Sequence, residues 1–243
     1  MWQIFKKDFK YFFTSGTGLV VGSVFWLILS LFLWFMEGNY NILYSGLAEM
    51  TPFFELTPWL LIFTVPAVSM RALAEEYKSG TIEVLLTKPV TEWQVVAAKF
   101  LAVWLSVLIL LVPAAVYYFS IRNLALPGQA PDFGVIAVSF TGLKLLAAVF
   151  AAAGVWISSW TSNQINAYLG GLFVIFLLFY GAYGLGSFNL FGNWDYFVRQ
   201  LAFYTRYTHF TKGLLYLRDL IYFAGWILIF LGLAVWGVQK HKQ

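Results

Sequence analysis

The sequence contains no cysteine, and this absence excludes several kinds of chemistry at once. A chain without thiols cannot form a disulfide bond, use a cysteine nucleophile or bind a metal ion through thiolates. Histidine is almost as scarce, because only His209 and His241 occur, and neither stands at metal-ligand spacing from acidic residues. We therefore expect neither a metal centre nor a cofactor in this protein.

Charged side chains are also few. Asp, Glu, Lys and Arg make up 11% of the residues, whereas hydrophobic residues make up 61%. A soluble domain is about a quarter charged and about half apolar, so this composition indicates an integral membrane protein. The formal net charge of +4 comes from short Lys and Arg clusters beside apolar segments. This distribution favours the lipid bilayer as a partner and argues against nucleic acid.

The sequence lacks the motifs of an enzyme that hydrolyses ATP or peptides. No GxxxxGK[ST] phosphate-binding loop occurs, which excludes ATP hydrolysis by the P-loop route. Ser187 and His209 match the serine and histidine of an intramembrane protease only loosely. We expect no catalytic residue in this chain.

Long apolar runs are what the sequence has in abundance. A helix needs about 20 mainly apolar residues to cross the hydrocarbon core, and the runs do not alternate as the strands of a membrane barrel do. The sequence therefore predicts an all-α membrane protein with a single transmembrane domain over residues 1–243. The six predicted spans cover residues 17–36, 57–74, 94–120, 133–160, 164–187 and 217–238.

Residues 1–16 predict an amphipathic helix, which we call the elbow helix. At a spacing of 3.6 residues per turn, one face carries aromatic side chains and another carries polar ones. The aromatic face consists of Trp2, Phe5, Phe9, Phe12 and Phe13. The polar face consists of Gln3, Lys6, Lys7 and Lys10. This pattern is typical of a helix that lies flat at the membrane interface.

The lysines and arginines of the short loops predict the orientation of the chain. The elbow helix has three lysines, whereas the loop from Glu37 to Leu56 has three acids and no basic residue. The positive-inside rule then places both termini in the cytoplasm. The segment 188–216 is expected outside, although it and the start of the last span contain the basic residues Arg199, Arg206, Lys212 and Arg218.

Within the spans, three features bear on packing and function. Pro58, Pro66 and Pro113 predict kinks, which membrane helices tolerate when a neighbour bonds the freed carbonyl. Small residues four apart, such as the Ala147 and Ala151 pair, suit either packing within the chain or a dimer seam. Lys144, near the middle of a span, suits a lateral cavity, a partner subunit or snorkelling to the interface.

The most polar stretch of the chain is EEYKSGTIEVLLTKPVTEWQ, residues 75–94. Within it, Ile82, Leu85 and Leu86 share one face of a short predicted helix that Pro89 ends. Thr91 and Gln94 have the spacing of a capping box that opens the next span. A cytoplasmic helix with an exposed apolar face is typical of a docking element, and a solvated connecting loop is the alternative.

The longer segment RALAEEYKSGTIEVLLTKPVTEWQVVAAKFLA resembles the first cytoplasmic loop of type-2 ABC transporter permeases. The matching residues are Arg71, Glu75, Glu76, Lys78, Gly80, Thr81, Glu83, Leu85, Leu86, Pro89 and Lys99. Two other segments, FMEGNYNILYSGLAEMTPFFELTPWLLIFTVPAVSMR and HFTKGLLYLRDLIYFAGW, are similar to the gliding-motility permease branch of Bacteroidetes-type bacteria.

This resemblance implies a permease subunit of the bacterial inner membrane, with a coupling loop at 75–93 that seats in a groove of a separate ATPase. It also implies two ATPase copies, a second permease subunit and short extracytoplasmic or re-entrant helices within 188–216. The residues it assigns to ATPase coupling are Glu75, Glu76, Gly80, Thr81, Ile82, Glu83, Leu85, Leu86, Lys88 and Pro89. We expect Glu75 and Glu76 to pair with Lys78, Lys99 or the elbow lysines.

Two other functions are compatible with a multi-span helical chain. A membrane scaffold in a motility or secretion assembly would keep the fold and move no solute. A secondary transporter would show inverted repeats, broken helices and acidic residues at the membrane midplane, and the sequence shows none of these clearly.

Overall fold

In the computed structural model, the chain is built from helices that pack side by side. The structure describes residues 1–45, 48–81, 90–126, 130–188 and 192–240. These ranges contain helices and no strand, which confirms the predicted all-α membrane fold. Within these described ranges, six helices are long and apolar enough to cross a membrane, and we number them as the first to sixth spans. They are Gly16–Phe35, Thr51–Lys78, Glu92–Leu124, Phe133–Ser158, Gln164–Ser187 and Leu217–Lys240.

Several spans contain a break or a change of helix type. The first and fifth spans include π-helical turns at Leu31–Phe35 and Leu177–Gly181. The second span is divided into Thr51–Ser69 and Ala74–Lys78. The third span is divided into Glu92–Leu110 and Ala114–Leu124. Among the described residues, the helices outside the spans are Trp2–Thr14, Ile42–Ser45, Gly192–Trp194, Asp195–Leu201 and Phe203–Thr211.

The ends of the second and third spans differ from the predicted boundaries. The second span begins at Thr51, not at residue 57, because Pro52 suits the first helical turn and the side chains that follow are buried. Its helix continues to Lys78, so Glu75 and Glu76 belong to the span. The third span begins at Glu92, where the predicted capping box between Thr91 and Gln94 is confirmed.

The fourth span lies at the centre of the bundle, where it packs against the second, third, fifth and sixth spans. Its alanines at 147, 148 and 151–153 are all buried within the chain. At Gly154, a Cβ atom would clash with the side chain of Ser69 on the second span. The small residues of this span therefore permit close helix packing inside one chain, and they do not form a dimer seam.

A proline and a helix break show how neighbouring side chains compensate for lost backbone hydrogen bonds. Pro58 cannot donate to the carbonyl of Phe54, and the buried hydroxyl of Tyr207 donates to that oxygen at 2.9 Å. Pro113 lies in the break of the third span. There the indole of Trp26 donates to the carbonyl of Leu110 at 2.9 Å.

Contacts between helix ends show which parts of the chain share a face of the bundle. Lys7 of the elbow helix contacts Glu76 at the end of the second span, and the hydroxyl of Ser158 accepts hydrogen bonds from the backbone of Leu73 and Ala74. The ammonium group of Lys240 lies 5.3 Å from the ring centre of Trp160. The elbow helix and the end of the sixth span therefore lie at the same face.

The helices that precede the sixth span pack into the opposite half of the bundle. The side chain of Phe210 contacts Gly142 of the fourth span, and Ser139 donates to the backbone carbonyl of Phe210 at 3.0 Å. Gly142 lies nine residues into its helix, or roughly 13 Å along the axis. This segment therefore enters the bundle between the spans.

Candidate functional site

The elbow helix has three faces, one more than the sequence analysis predicted. Trp2, Phe5 and Phe9 form a stacked aromatic row, with ring centres 5.1 and 5.4 Å apart. Lys6 and Lys10 are exposed to solvent. The third face carries Ile4, Asp8, Tyr11 and Ser15, which point toward the spans. Phe12 of the predicted aromatic face is half-buried and lines the same inner cavity as Asp8.

The centre of the candidate site is Lys99, which is only 2% exposed. Its ammonium group lies 2.6 Å from a carboxylate oxygen of Glu76 and 2.8 Å from one of Asp8. Lys7 contacts the same oxygen of Glu76 at 3.3 Å. These four residues, which we call the ion-pair network, join the elbow helix to the second and third spans. The expected pairing of Glu76 with Lys99 and an elbow lysine is confirmed.

The ion-pair network contains two cations and two carboxylates, so its charges balance. Burial raises the pKa of Asp8, and the attraction of Lys99 opposes this shift only in part. One carboxylate oxygen of Glu76 has no hydrogen-bond partner within the described residues. Buried charges are costly unless all their partners are present. The network therefore resists displacement of the elbow helix relative to the second and third spans.

Beyond Glu76, the helix of the second span ends in a glycine turn. Gly80 has a φ of +69°, a left-handed conformation that suits glycine just past a helix end. The Ser79 hydroxyl donates to the carbonyl of Glu75 at 2.8 Å and lies 2.9 Å from the hydroxyl of Thr81. The SGT sequence therefore ends the second span.

The structure places only part of the predicted coupling residues. Glu76 belongs to the ion-pair network, Glu75 is half-buried beside it, and Gly80 and Thr81 form the exposed helix end. The remaining six, Ile82, Glu83, Leu85, Leu86, Lys88 and Pro89, lie outside the described residues.

Sequence reasoning missed Asp8 as a member of the network. A usable signal was present, since Asp8 is the only acidic residue before Glu37 and stands among lysines. An isolated acid on the inner side of a basic amphipathic helix indicates a buried cation as its partner.

A second buried cluster lies at the opposite face of the bundle. Asp219, at the start of the sixth span, is fully buried. Arg206 donates to one of its oxygens at 2.8 Å, and His209 contacts the other at 2.7 Å. The Arg206 guanidinium also stacks on the ring of Tyr222, 4.0 Å from its centre. These contacts neutralise part of the positive charge of the segment 188–216, whose basic residues contradict the positive-inside rule.

Neither cluster has the composition of a metal centre. Within the described ranges, no group of three or more His, Asp or Glu residues is placed to hold a metal ion. Both clusters instead consist of ion pairs between helices, which hold those helices in position.

Comparison with known proteins agrees with this architecture. A family model described as "ABC-2 family transporter protein" matches residues 2–241. No curated protein matches the chain. The match includes all six spans, the elbow helix and the ion-pair network. The chain therefore belongs to the ABC-2 family of transporter permeases, the multi-pass membrane subunits that work with an ABC ATPase.

Proposed function

We propose that this protein couples ATP hydrolysis by a separate ATPase subunit to transport or mechanical work across the bacterial inner membrane. The observation that carries the proposal is the position of the ion-pair network at the base of the 79–91 loop. Glu76 lies on the helix that enters the loop, and Lys99 lies on the helix that leaves it. Both termini are then cytoplasmic, since the elbow helix lies at this face.

The geometry gives the loop a mechanical connection to the membrane domain. The loop is short, and both of its ends are fixed: Gly80 follows the helix end directly, and the Thr91 capping box opens the third span. A force applied to the loop therefore acts on the second and third spans together. Through Asp8 and Lys7 it also acts on the elbow helix.

The ATPase would bind the apolar side chains of the loop. We assign Ile82, Leu85 and Leu86 to a groove of the ATPase, and Glu83 and Lys88 to its rim, where charges set register more than affinity. Buried anchors of this kind dominate small interfaces. The complete transporter then contains two ATPase subunits and a second permease subunit, the same as this chain or related to it.

The resemblance to gliding-motility permeases favours mechanical work in a motility apparatus as the use of this coupling. The alternative is a scaffold that keeps the permease fold and assembles with motility or secretion components without moving solute. An ATPase variant that binds but cannot hydrolyse ATP separates these functions. A coupled permease stops working with such a partner, whereas a scaffold continues to work.

The direct test is purification of the tagged protein from its native membrane with identification of the chains that co-elute. We expect an ABC ATPase to co-elute with the unaltered protein and to be lost from the double variant Leu85→Ala with Leu86→Ala. The matched control is Leu214→Ala with Leu215→Ala, a leucine pair that is exposed at the opposite face.

ATP turnover in reconstituted membranes then tests the ion-pair network. We expect Glu76→Gln to keep the ATPase bound but to uncouple its hydrolysis from work, and Glu83→Gln to weaken binding mildly in a salt-dependent way. If the double leucine variant binds and couples like the unaltered protein, the loop is only a linker and the proposal is wrong.

A further inference from the structure

Beside the ion-pair network, a cavity of about 70 Å³ lies between the elbow helix and the first three spans. It is several times larger than the space that one water molecule needs, about 10–15 Å³ on the same measure. Its polar lining includes Arg71, Asp8 and Glu75, and its apolar lining includes Val21, Ala67 and Val103. The cavity therefore joins charged groups at the membrane interface to an apolar interior.

Arg71 is a cation of this cavity with unused hydrogen-bonding capacity. One terminal nitrogen donates to the hydroxyl of Tyr11 at 2.8 Å, and the guanidinium lies 5.8 Å from the centre of that ring. Its Nε–H is buried without a hydrogen-bond partner in the described residues. Among the described residues, no carboxylate forms an ion pair with Arg71. A planar guanidinium in this situation suits a phosphate group.

The other charged residues that line the cavity are two acids, Asp8 and Glu75, and Lys99. Asp8 and Glu76 already neutralise Lys99. Glu75 is half-buried at the cavity and forms no ion pair among the described residues. The cavity thus presents one cation for an anionic group and one carboxylate for a cationic group. A zwitterion complements this arrangement better than a simple anion does.

An apolar groove continues from the cavity along the membrane-facing surface. Val21 and Ala67 line both, and the groove then follows the first span to Ile28 and the second span to Leu60. Seven helical residues correspond to about 10 Å along each span. The groove is open to the side, since Val20, Val24 and Phe63 are 63%, 49% and 55% exposed. It therefore has the shape and polarity to hold a lipid chain.

We propose that the cavity and groove bind one phospholipid with an amine-bearing zwitterionic headgroup, of the phosphatidylethanolamine type. Arg71 binds the phosphate, Glu75 binds the ammonium group, and one acyl chain lies in the groove between the first and second spans. A peptide would leave the phosphate-binding group unused, and a free anion would leave the groove empty. The lipid holds the elbow helix against the spans beside the ion-pair network.

The test uses the full-length protein, purified in detergent, delipidated and then supplied with defined lipids. Native mass spectrometry counts the lipids that each chain retains after addition of dioleoyl phosphatidylethanolamine. We expect one retained lipid per chain, and at least a tenfold weaker affinity in Arg71→Gln. Ala67→Phe, which fills the groove and leaves Arg71 intact, should weaken binding similarly. The controls are Arg122→Gln, an exposed arginine, and Val112→Phe, an exposed position on another apolar surface.

Four further probes identify which part of the lipid is recognised. Dioleoyl phosphatidylglycerol, dioleoyl phosphatidylcholine, dioleoyl glycerol and inorganic phosphate are each compared with phosphatidylethanolamine by the shift they cause in thermal unfolding. We expect all four to stabilise the protein less. Equal stabilisation by inorganic phosphate would show a plain anion site, and equal stabilisation by dioleoyl glycerol a plain apolar groove. Equal stabilisation by either other phospholipid would exclude recognition of the amine.

Each of those equal results overturns the proposal. Unchanged lipid retention in Arg71→Gln and Ala67→Phe overturns it as well. Because no ATPase is present in these experiments, their outcome is independent of whether the loop couples to one.

Discussion

At the scale of single residues, Lys99 is the side chain on which the candidate site depends. It is buried between two carboxylates from different helices, Asp8 and Glu76. Removing one member of a buried ion pair leaves an uncompensated charge, which costs about 3–5 kcal/mol. The network therefore makes attachment of the elbow helix sensitive to one lysine.

We expect Lys99→Met to lower the free energy of unfolding by about 3 kcal/mol or more, because Asp8 and Glu76 lose their common cation. Thermal unfolding in detergent measures the loss. Adding Asp8→Asn and Glu76→Gln to Lys99→Met should recover most of it, since no buried charge is then left unpaired. Lys78→Met is the exposed control. Equal effects of Lys99→Met and Lys78→Met would contradict this role.

Asp8 predicts a specific dependence on pH. Burial raises the pKa of its carboxyl above the ordinary value of about 3.8. At a pH between the ordinary and the raised pKa, the folded protein therefore binds the proton more tightly than the unfolded chain does. The contribution of Asp8 to stability is therefore complete below that ordinary value and is lost as the pH rises through the raised pKa.

Thermal unfolding of the unaltered protein is compared with that of Asp8→Asn from about pH 4 upward, and this comparison tests the linkage. The unaltered protein should lose more stability than Asp8→Asn over the window, because only the aspartate releases a proton there. Glu37→Gln, which replaces an exposed acid, controls for general titration. Parallel curves for the unaltered protein and Asp8→Asn would show that the carboxyl is not desolvated as the structure indicates.

At the scale of helices, a hydrogen bond between elements compensates for Pro58 in the second span. The carbonyl of Phe54 lacks its usual donor because position 58 is proline, and Tyr207 replaces that donor from another helix. An unsatisfied buried carbonyl costs about 1–3 kcal/mol, and less when a membrane environment offers other partners.

We expect Tyr207→Phe to cost about 1 kcal/mol in the background of Pro58 and close to nothing in the background of Pro58→Ala. The alanine restores the backbone N–H that bonds Phe54, so the hydroxyl becomes redundant. A double-mutant cycle measured by unfolding in detergent gives the coupling. A coupling of zero would mean that Tyr207 does not compensate for the proline.

Close packing of the fourth span gives a second prediction for the helices. We expect Gly154→Ala to destabilise the protein by about 1–3 kcal/mol, because the new methyl group overlaps Ser69. Gly232→Ala on the sixth span is the matched control, since nothing lies within 4 Å of its Cβ position and alanine favours helix. The midpoint temperature of thermal unfolding should fall for Gly154→Ala and should not fall for Gly232→Ala. Similar midpoints would contradict the contact.

At the scale of the whole molecule, the arrangement of helix ends predicts the topology. The elbow helix and Lys240 lie at one face, whereas Phe210 and Asp219 belong to the other half of the bundle. If the lysine-rich elbow face is cytoplasmic, both termini are inside and the loop after the first span is outside.

The absence of cysteine makes this topology easy to measure by single-cysteine labelling in intact cells. A membrane-impermeant maleimide should label Asn39→Cys and Lys212→Cys directly. It should label Gln3→Cys and Gln243→Cys only after the membrane is permeabilised. Labelling of Gln243→Cys in intact cells would contradict an even number of spans with cytoplasmic termini.

Local sequence patterns predict the six spans, the amphipathic elbow helix and the capping box at Thr91. These features depend on apolar run length, on helical periodicity and on residues three positions apart, so they are local. The predicted end of the second span is too early, because the charged Glu75 and Glu76 predict a loop, whereas a buried ion pair keeps Glu76 in the helix.

Which side chains meet depends on how the helices pack together, and local patterns do not predict it. Lys7 and Glu76 are 69 residues apart, and Tyr207 and Phe54 are 153 apart. Helical periodicity gives the face of a helix on which Asp8 or Tyr207 lies, but it does not give the helix that packs against that face. That choice depends on the fit of the small residues along the fourth span and on the pairing of every buried charge, which are properties of the assembled bundle.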